Sequence, residues 1–266
     1  MTTAWTPDIV TPDLARAVHY TLLWGLEGVA LRTVGGAADR VPFVNEAALR
    51  HRLAEAELPV VAVDPGLFEG PTALRAGWLN DLDALDDTVR FCRRTGCAVV
   101  RVGALADGPF DRGVAAEALR RAAAVAASGG VRLAVRNEAG SAVATGADLA
   151  ALLEAADADA LGADALGADW RPADALQAGE DPADGLQALL NVGIACVGVR
   201  DVRPEAGGWG EATVGEGAVG WDDHLGALAE AGYAGPLVLD ALPAPAASHG
   251  LAAATALIHL ERRVRC

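Results

Sequence analysis

Short runs of buried-type residues alternate along this chain with longer alanine- and leucine-rich stretches whose apolar positions recur at helical spacing. The repeat is roughly thirty residues, the size of one strand-plus-helix unit. Gly28 to Arg32 follows a helix expected from about Pro12 to Gly25, and Leu58 to Val63 follows one built on Glu46 to Glu57. Cys97 to Val102 follows a helix over Leu79 to Thr95. Val131 to Val135 follows one over Val114 to Ala127, which stops at Gly129-Gly130. The tandem ADALGADALGAD, Ala158 to Asp169, occupies the place where the next strand is due. Ile194 to Val199 then follows a helix around Pro182 to Leu190, Pro236 to Leu239 follows Trp221 to Ala231, and Leu251 to Arg263 reads as a closing helix.

Seven strands are visible in this pattern, and the segment between Thr3 and Val10 supplies an eighth. Uninterrupted apolar runs, each leading to a helix, belong to a parallel sheet buried on both faces. Eight such units predict an α/β fold closed as a single (β/α)8 TIM barrel. The alternative is a doubly wound open sheet, but no G-x-G-x-x-G turn follows the first strand. No linker-like stretch divides the chain, so residues 1–266 are expected to form one barrel domain.

Composition narrows the partners. At 266 residues and 52% hydrophobic the chain can fill a barrel core. Its formal charge of −15 argues against a nucleic-acid surface, which needs clustered cations. There is no lysine; every basic residue other than histidine is arginine, which reads as codon bias in a GC-rich genome, with an acid-rich surface suited to high salt as the alternative. No apolar run is long enough to cross a bilayer, and MTTAWTPDIV lacks the features of a signal peptide. The expectation is a soluble, cytoplasmic protein without membrane or nucleic-acid partners, and association into a homo-oligomer is compatible with it. Cys92, Cys97, Cys196 and Cys266 lack C-x-x-C spacing and read as free thiols of a reducing compartment.

Active sites of such barrels lie at the carboxyl ends of the strands. Here the strands end on Arg32, on Asp64, on Arg101, on Arg136-Asn137-Glu138, on Asp164 or Asp169, on Arg200-Asp201 and on Asp240. For any one of these arginines, an ion pair with a neighbouring acid is the simpler reading. Four converging on one barrel mouth would instead form a fork-shaped receptor for phosphate or carboxylate.

With these residues in view, the chain resembles the xylose-isomerase-like TIM-barrel superfamily, the sugar phosphate isomerase/epimerase group. GLEGVALR, Gly25 to Arg32, is similar to the family's second strand, although Ala30 stands where Glu is usual. VGVRDVRP, Val197 to Pro204, resembles the seventh-strand motif of His-x-Lys-Asp type. GEGAVGWDDHLGALAEAGYAGPLVLD, Gly215 to Asp240, resembles the family ending and is the most specific of the three.

The resemblance implies a divalent cation held by a Glu on the fifth strand, an Asp on the sixth, a His on the seventh and a Glu on the eighth. Matched residue by residue, these fall on Arg136, near Leu166 (with Asp164 or Asp169 as substitutes), on Gly198 and on Asp240. The motif's Lys becomes Arg200, and its Asp is kept as Asp201. A guanidinium is always charged and repels a cation. Of the histidines, His19, His51, His224 and His259 fall on expected helices, and neither they nor His249 end a strand. No metal and no other cofactor are therefore expected.

Two function classes follow. In the first, the chain is a metal-independent isomerase, epimerase or lyase for a small anionic sugar or sugar phosphate. Arg32, Arg101, Arg136, Asn137 and Arg200 bind the substrate, and Glu138, Asp201 and Asp240 move protons. In the second, it is a catalytically silent barrel serving as a ligand-binding or partner subunit. A DNA-repair endonuclease on the same barrel would need several metal ligands and a basic groove, and neither is evident.

Overall fold

A computed structural model of the chain describes residues 1–35, 39–156 and 165–265. The strands are β1 (Thr2–Trp5), β2 (Gly28–Leu31), β3 (Val60–Val63), β4 (Val99–Val102), β5 (Arg132–Arg136), β6 (Leu166–Trp170) and β7 (Ile194–Val199), followed by β8 (Asp201–Glu205), β9 (Gly208–Ala212) and β10 (Pro236–Leu239). Eight of them close a barrel in the order β1-β10-β7-β6-β5-β4-β3-β2, and β8 and β9 form a separate antiparallel hairpin. The helices are α1 (Leu14–Trp24), α2 (Glu46–Glu55), α3 (Arg75–Thr95), α4 (Arg112–Ser128), α5 (Gly146–Ala155), α6 (Pro172–Gln177), α7 (Pro182–Leu190), α8 (Trp221–Glu230) and α9 (Ala247–Arg265). The expected (β/α)8 barrel is present.

Local chemistry sets the boundaries. Asp13 caps α1 by accepting from Arg16 N, and Gly25 ends it in the left-handed region at φ 74°, which favours glycine. Thr145 and Asp148 make a reciprocal capping box at α5. Helix α3 begins at Arg75, a turn before the expected Leu79. Strand β6 starts inside the ADALGADALGAD tandem, whose first residues, Asp164 among them, lie outside the described residues. The hairpin and α6 were not foreseen. Most of the hairpin is exposed and glycine-rich, so it carries no alternating apolar signal, and α6 is only 6 residues long.

Two compact units account for the chain: Met1–Val61 with Gly198–Cys266, and Ala62–Val197. In the first, Trp5 of β1 packs edge-on against Trp24 of α1, with ring centroids 4.5 Å apart, and its Nε1 donates to Thr21 Oγ1 at 2.8 Å. In the second, Leu133 and Val135 of β5 are buried with Leu119 of α4 and Leu149, Leu152 and Leu153 of α5.

In the first unit, His224 of α8 lies buried, edge-on to Trp221, and burial pushes its pKa down to about 4. The folded protein therefore excludes a proton that the unfolded chain accepts. The stability this contributes is complete above the ordinary histidine pKa near 6.5 and is lost as pH falls from there toward 4. Urea unfolding across that window is expected to show a wild-type loss of about 3 kcal/mol that His224→Gln lacks. Parallel pH profiles for the two proteins would contradict it.

Candidate functional site

The second unit gathers its charge at the carboxyl ends of β3 to β6. In register, Arg101 of β4 lies beside Ala134 of β5, Ala134 beside Gly167 of β6, and Arg136 beside Asp169. Side chains alternate along a strand, so these five positions share one side of the sheet. Arg101 reaches Asp169 two strands away. Its Nε meets Oδ2 at 2.9 Å and its Nη2 meets Oδ1 at 3.1 Å, the two-point grip of guanidinium on carboxylate. Both side chains are buried, at 2% and 0% exposure.

Arg136 ends β5 and is held from the β3–α3 loop. Its Nη1 donates to Asp64 Oδ2 at 2.9 Å and its Nη2 to Glu69 Oε1 at 2.5 Å. Burial alone opposes the arginine charge, but Asp64, Asp169 and Glu69 outweigh it and hold the pKa above the ordinary arginine value. The loop is built for this approach. Leu67 O accepts from Gly103 N at 2.9 Å and Phe68 O from Leu105 N at 2.8 Å, while Phe68 N donates to Asp81 Oδ2 at 2.9 Å. A Cβ on Gly103 would lie 2.4 Å from Phe68 O, so only glycine lets the two loops come this close.

Asn137 and Glu138 divide after β5. Asn137 is buried; its amide donates to Ala144 O and Arg171 O, each at 3.0 Å, and its Oδ1 accepts from Arg171 N at 2.9 Å. It thereby joins the β5 and β6 ends as a clamp. Glu138 is exposed in a turn where its own N–H donates to Val143 O. Arg171, just beyond β6, brings Nε to 3.9 Å from Asp169 Oδ2.

The remaining expected residues lie in the first unit. Arg32 grips Asp8 through Nε and Nη2 at 2.9 and 2.7 Å. Arg200 Nη2 pairs with Glu211 of β9 at 3.3 Å. Asp240 Oδ1 accepts from Thr6 Oγ1 at 2.9 Å. Both oxygens of Asp201 are taken by backbone amides. Oδ1 accepts from Val202 and Val219, at 3.0 and 3.2 Å, and Oδ2 from Gly215 and Gly217, at 2.9 and 3.0 Å. A Cβ on Gly217 would sit 2.1 Å from Asp201 Oδ1. The Gly-x-Gly turn of the sequence motif is thus the cradle of Asp201.

Each of the four strand-end arginines expected to form an anion receptor has a carboxylate partner of its own. Asp8 in a short 3-10 turn, Glu69 on the β3–α3 loop and Glu211 on the hairpin were not anticipated in that role. Asp64 and Asp169 were recognised only as strand ends. Among the described residues, no three His, Cys, Asp or Glu side chains cluster so as to hold a metal ion, and residues 62–197 contain no histidine.

The barrel fold defines a class that comparison confirms. A family model described as xylose isomerase-like TIM barrel matches residues 19–257. The chain belongs to this family. Solved structures agree in fold. A D-tagatose 3-epimerase-like protein superposes with TM-score 0.79 at 16% identity, covering 100% of this chain and 98% of its own. The probable 3-DHS dehydratase AsbF from Bacillus anthracis gives 0.77 at 14%, covering 97% and 99%. The IOLI protein, solved with a bound zinc atom, gives 0.76 at 14%, covering 100% and 96%. No curated protein sequence matches. No helix among the described residues is long and apolar enough to cross a membrane.

Asp201→Ala strips one acceptor from four amides and is expected to cost about 3 kcal/mol in urea unfolding. A loss below about 0.5 kcal/mol, the range of ordinary surface substitutions, would show that the loop does not depend on it.

Proposed function

We propose that this protein is a sugar isomerase/epimerase-type barrel acting on a small anionic sugar derivative at the carboxyl ends of β3 to β6, with arginine in place of a divalent metal. The observation that carries the reading is Arg136, buried and fully charged, where the family resemblance calls for a metal-ligating carboxylate. The donor set does not fit a divalent cation. Asp64 is engaged by Arg136, and Asp169 is gripped at both oxygens by Arg101, so binding a cation would require breaking buried ion pairs.

A guanidinium facing a substrate oxyanion stabilises the charge that develops on an enediolate, an electrostatic role open to a metal elsewhere. Arg136 and Arg101 supply that field in this proposal. Asn137 positions the strand ends instead of touching the ligand, and Arg32 and Arg200 are assigned to their own ion pairs. Of the carboxylates considered for proton transfer, Asp201 is dropped because its oxygens are taken by backbone amides, and Glu138, in the same unit as Arg136, is retained. The epimerase-like and dehydratase neighbours support a sugar-type ligand and chemistry at a carbon acid.

A second reading, the catalytically silent barrel, is favoured by one observation: every arginine of the expected receptor already has a carboxylate partner. Proton chemistry separates the two. An isomerase or epimerase incubated in deuterium oxide with sugar acids and sugar phosphates exchanges a carbon-bound hydrogen of its substrate, and a silent barrel exchanges none.

Calorimetry with the same compounds is expected to show Arg136→Ala weakening binding by roughly ten- to a hundredfold, with Arg136→Lys recovering only part. Elemental analysis after dialysis is expected to find no stoichiometric divalent cation. One equivalent of zinc, manganese, magnesium or cobalt, or Arg136→Ala binding as the wild type does, would overturn the proposal.

A further inference from the structure

Of the six tryptophans in the chain, five are 5% exposed or less, whereas Trp209, on β9, is 38% exposed. Among the described residues Trp209 joins no ring stack, and its indole N–H meets no protein acceptor. Its place is nevertheless fixed from below. Strand β8 follows the carboxyl end of β7 after a single residue, Arg200. At the root of the hairpin Asp201 is held by four backbone amides, and Val202 and Ala212 are buried.

Opposite residues of an antiparallel ribbon share a side, and so do residues two apart. Pro204 lies opposite Trp209 and Val202 opposite Glu211, which puts these four on one side. Glu211 pairs with Arg200, so the Trp209 side is the one turned toward Arg200, just past β7. On the other side Glu205 lies over Gly210, where a Cβ would collide with its carboxyl group. The outer part of the ribbon thus offers one flat apolar plate, Trp209 with the exposed Pro204.

Charge and area decide what the plate fits. The charges beside it are spent in pairs, Arg200 with Glu211 and Arg203 with Glu205, which suits a neutral ligand surface better than an ion. The exposed part of the side chain amounts to roughly 100 Å2, taking a whole tryptophan as about 250 Å2, against about 800 Å2 a side in a stable protein interface. An area of that size suits one face of a sugar ring, whose C–H groups are apolar and whose hydroxyls lie at the rim. Going beyond the chemistry proposed at Arg136, we propose that Trp209 is a stacking platform for a neutral sugar ring. The C–H face leaves water against the indole, and a rim hydroxyl accepts from Nε1–H.

The test is acrylamide quenching of tryptophan fluorescence in the full-length protein, which selects Trp209 because the other five rings are buried. Glucose, galactose, xylose and fructose are the probes, and sorbitol is the acyclic control, with hydroxyls but no ring face. At least one ring sugar is expected to shield Trp209 saturably, and sorbitol is not. In calorimetry Trp209→Ala is expected to bind that sugar about tenfold more weakly, while Trp209→Phe keeps most of the affinity. Thermal melts establish that both variants are folded. No shielding by any of the four sugars, equal shielding by sorbitol, or unchanged affinity in Trp209→Ala overturns the platform. So does shielding that appears on raising the protein concentration alone, which would make a second copy of the chain the occupant. Shielding by neutral rings without any hydrogen exchange into a sugar leaves the platform standing while the isomerase/epimerase reading falls. Exchange that depends on Arg136, with Trp209 never shielded, gives the reverse.

Discussion

The arrangement at the β4 to β6 ends depends on a buried ion pair, Arg101 with Asp169, in which neither side chain reaches solvent. Removing two ions from water costs several kcal/mol each, and the interior repays this only with good geometry and satisfied hydrogen bonds. The two-point grip supplies that geometry. Arg136 lies beside Asp169 in register, adding a second cation to the same carboxylate field. The pair ties β4 to β6 across β5 and fixes the frame from which Arg136 is presented.

That frame governs what the strand ends can do. Carboxylates held by guanidinium groups are poor metal ligands, because recruiting them would expose a buried arginine to an added positive charge. The same pairing limits how much cation is available to a ligand. Of the two carboxylates on Arg136, Asp64 is buried and Glu69 is 47% exposed. Chemistry at this end of the barrel is thus decided by which arginine contacts are buried and which are open.

Most of the barrel was legible in the chain because its strands are continuous apolar runs and its helices carry caps and glycine stops. Strands β2, β7 and β10 fall where the pattern places them. The charged positions were legible as a list of strand ends, since alternation and fold alone put Arg101, Arg136 and Asp240 there. Their partners were not. Glu69 lies six residues beyond β3, on a loop whose course depends on Phe68 at φ 59° and on the close approach of Gly103, and neither leaves a local signature. Asp201 looked like a proton-transfer group because Asp follows Arg in the motif. Its job became visible only when the Gly215 to Val219 turn was seen wrapped around it. The hairpin escaped for a simpler reason: an exposed two-stranded ribbon needs no apolar alternation.

The central claim is that buried arginine–carboxylate pairing holds the β4 to β6 ends in place. A double-mutant cycle on Arg101 and Asp169, read by urea unfolding, tests it most directly. Arg101→Met and Asp169→Leu are each expected to lose about 3–5 kcal/mol, because each leaves the other charge buried and alone. The double variant, with no charge to strand, is expected to lose markedly less than the two losses combined. Single losses that are small, or that simply add in the double variant, would contradict the account.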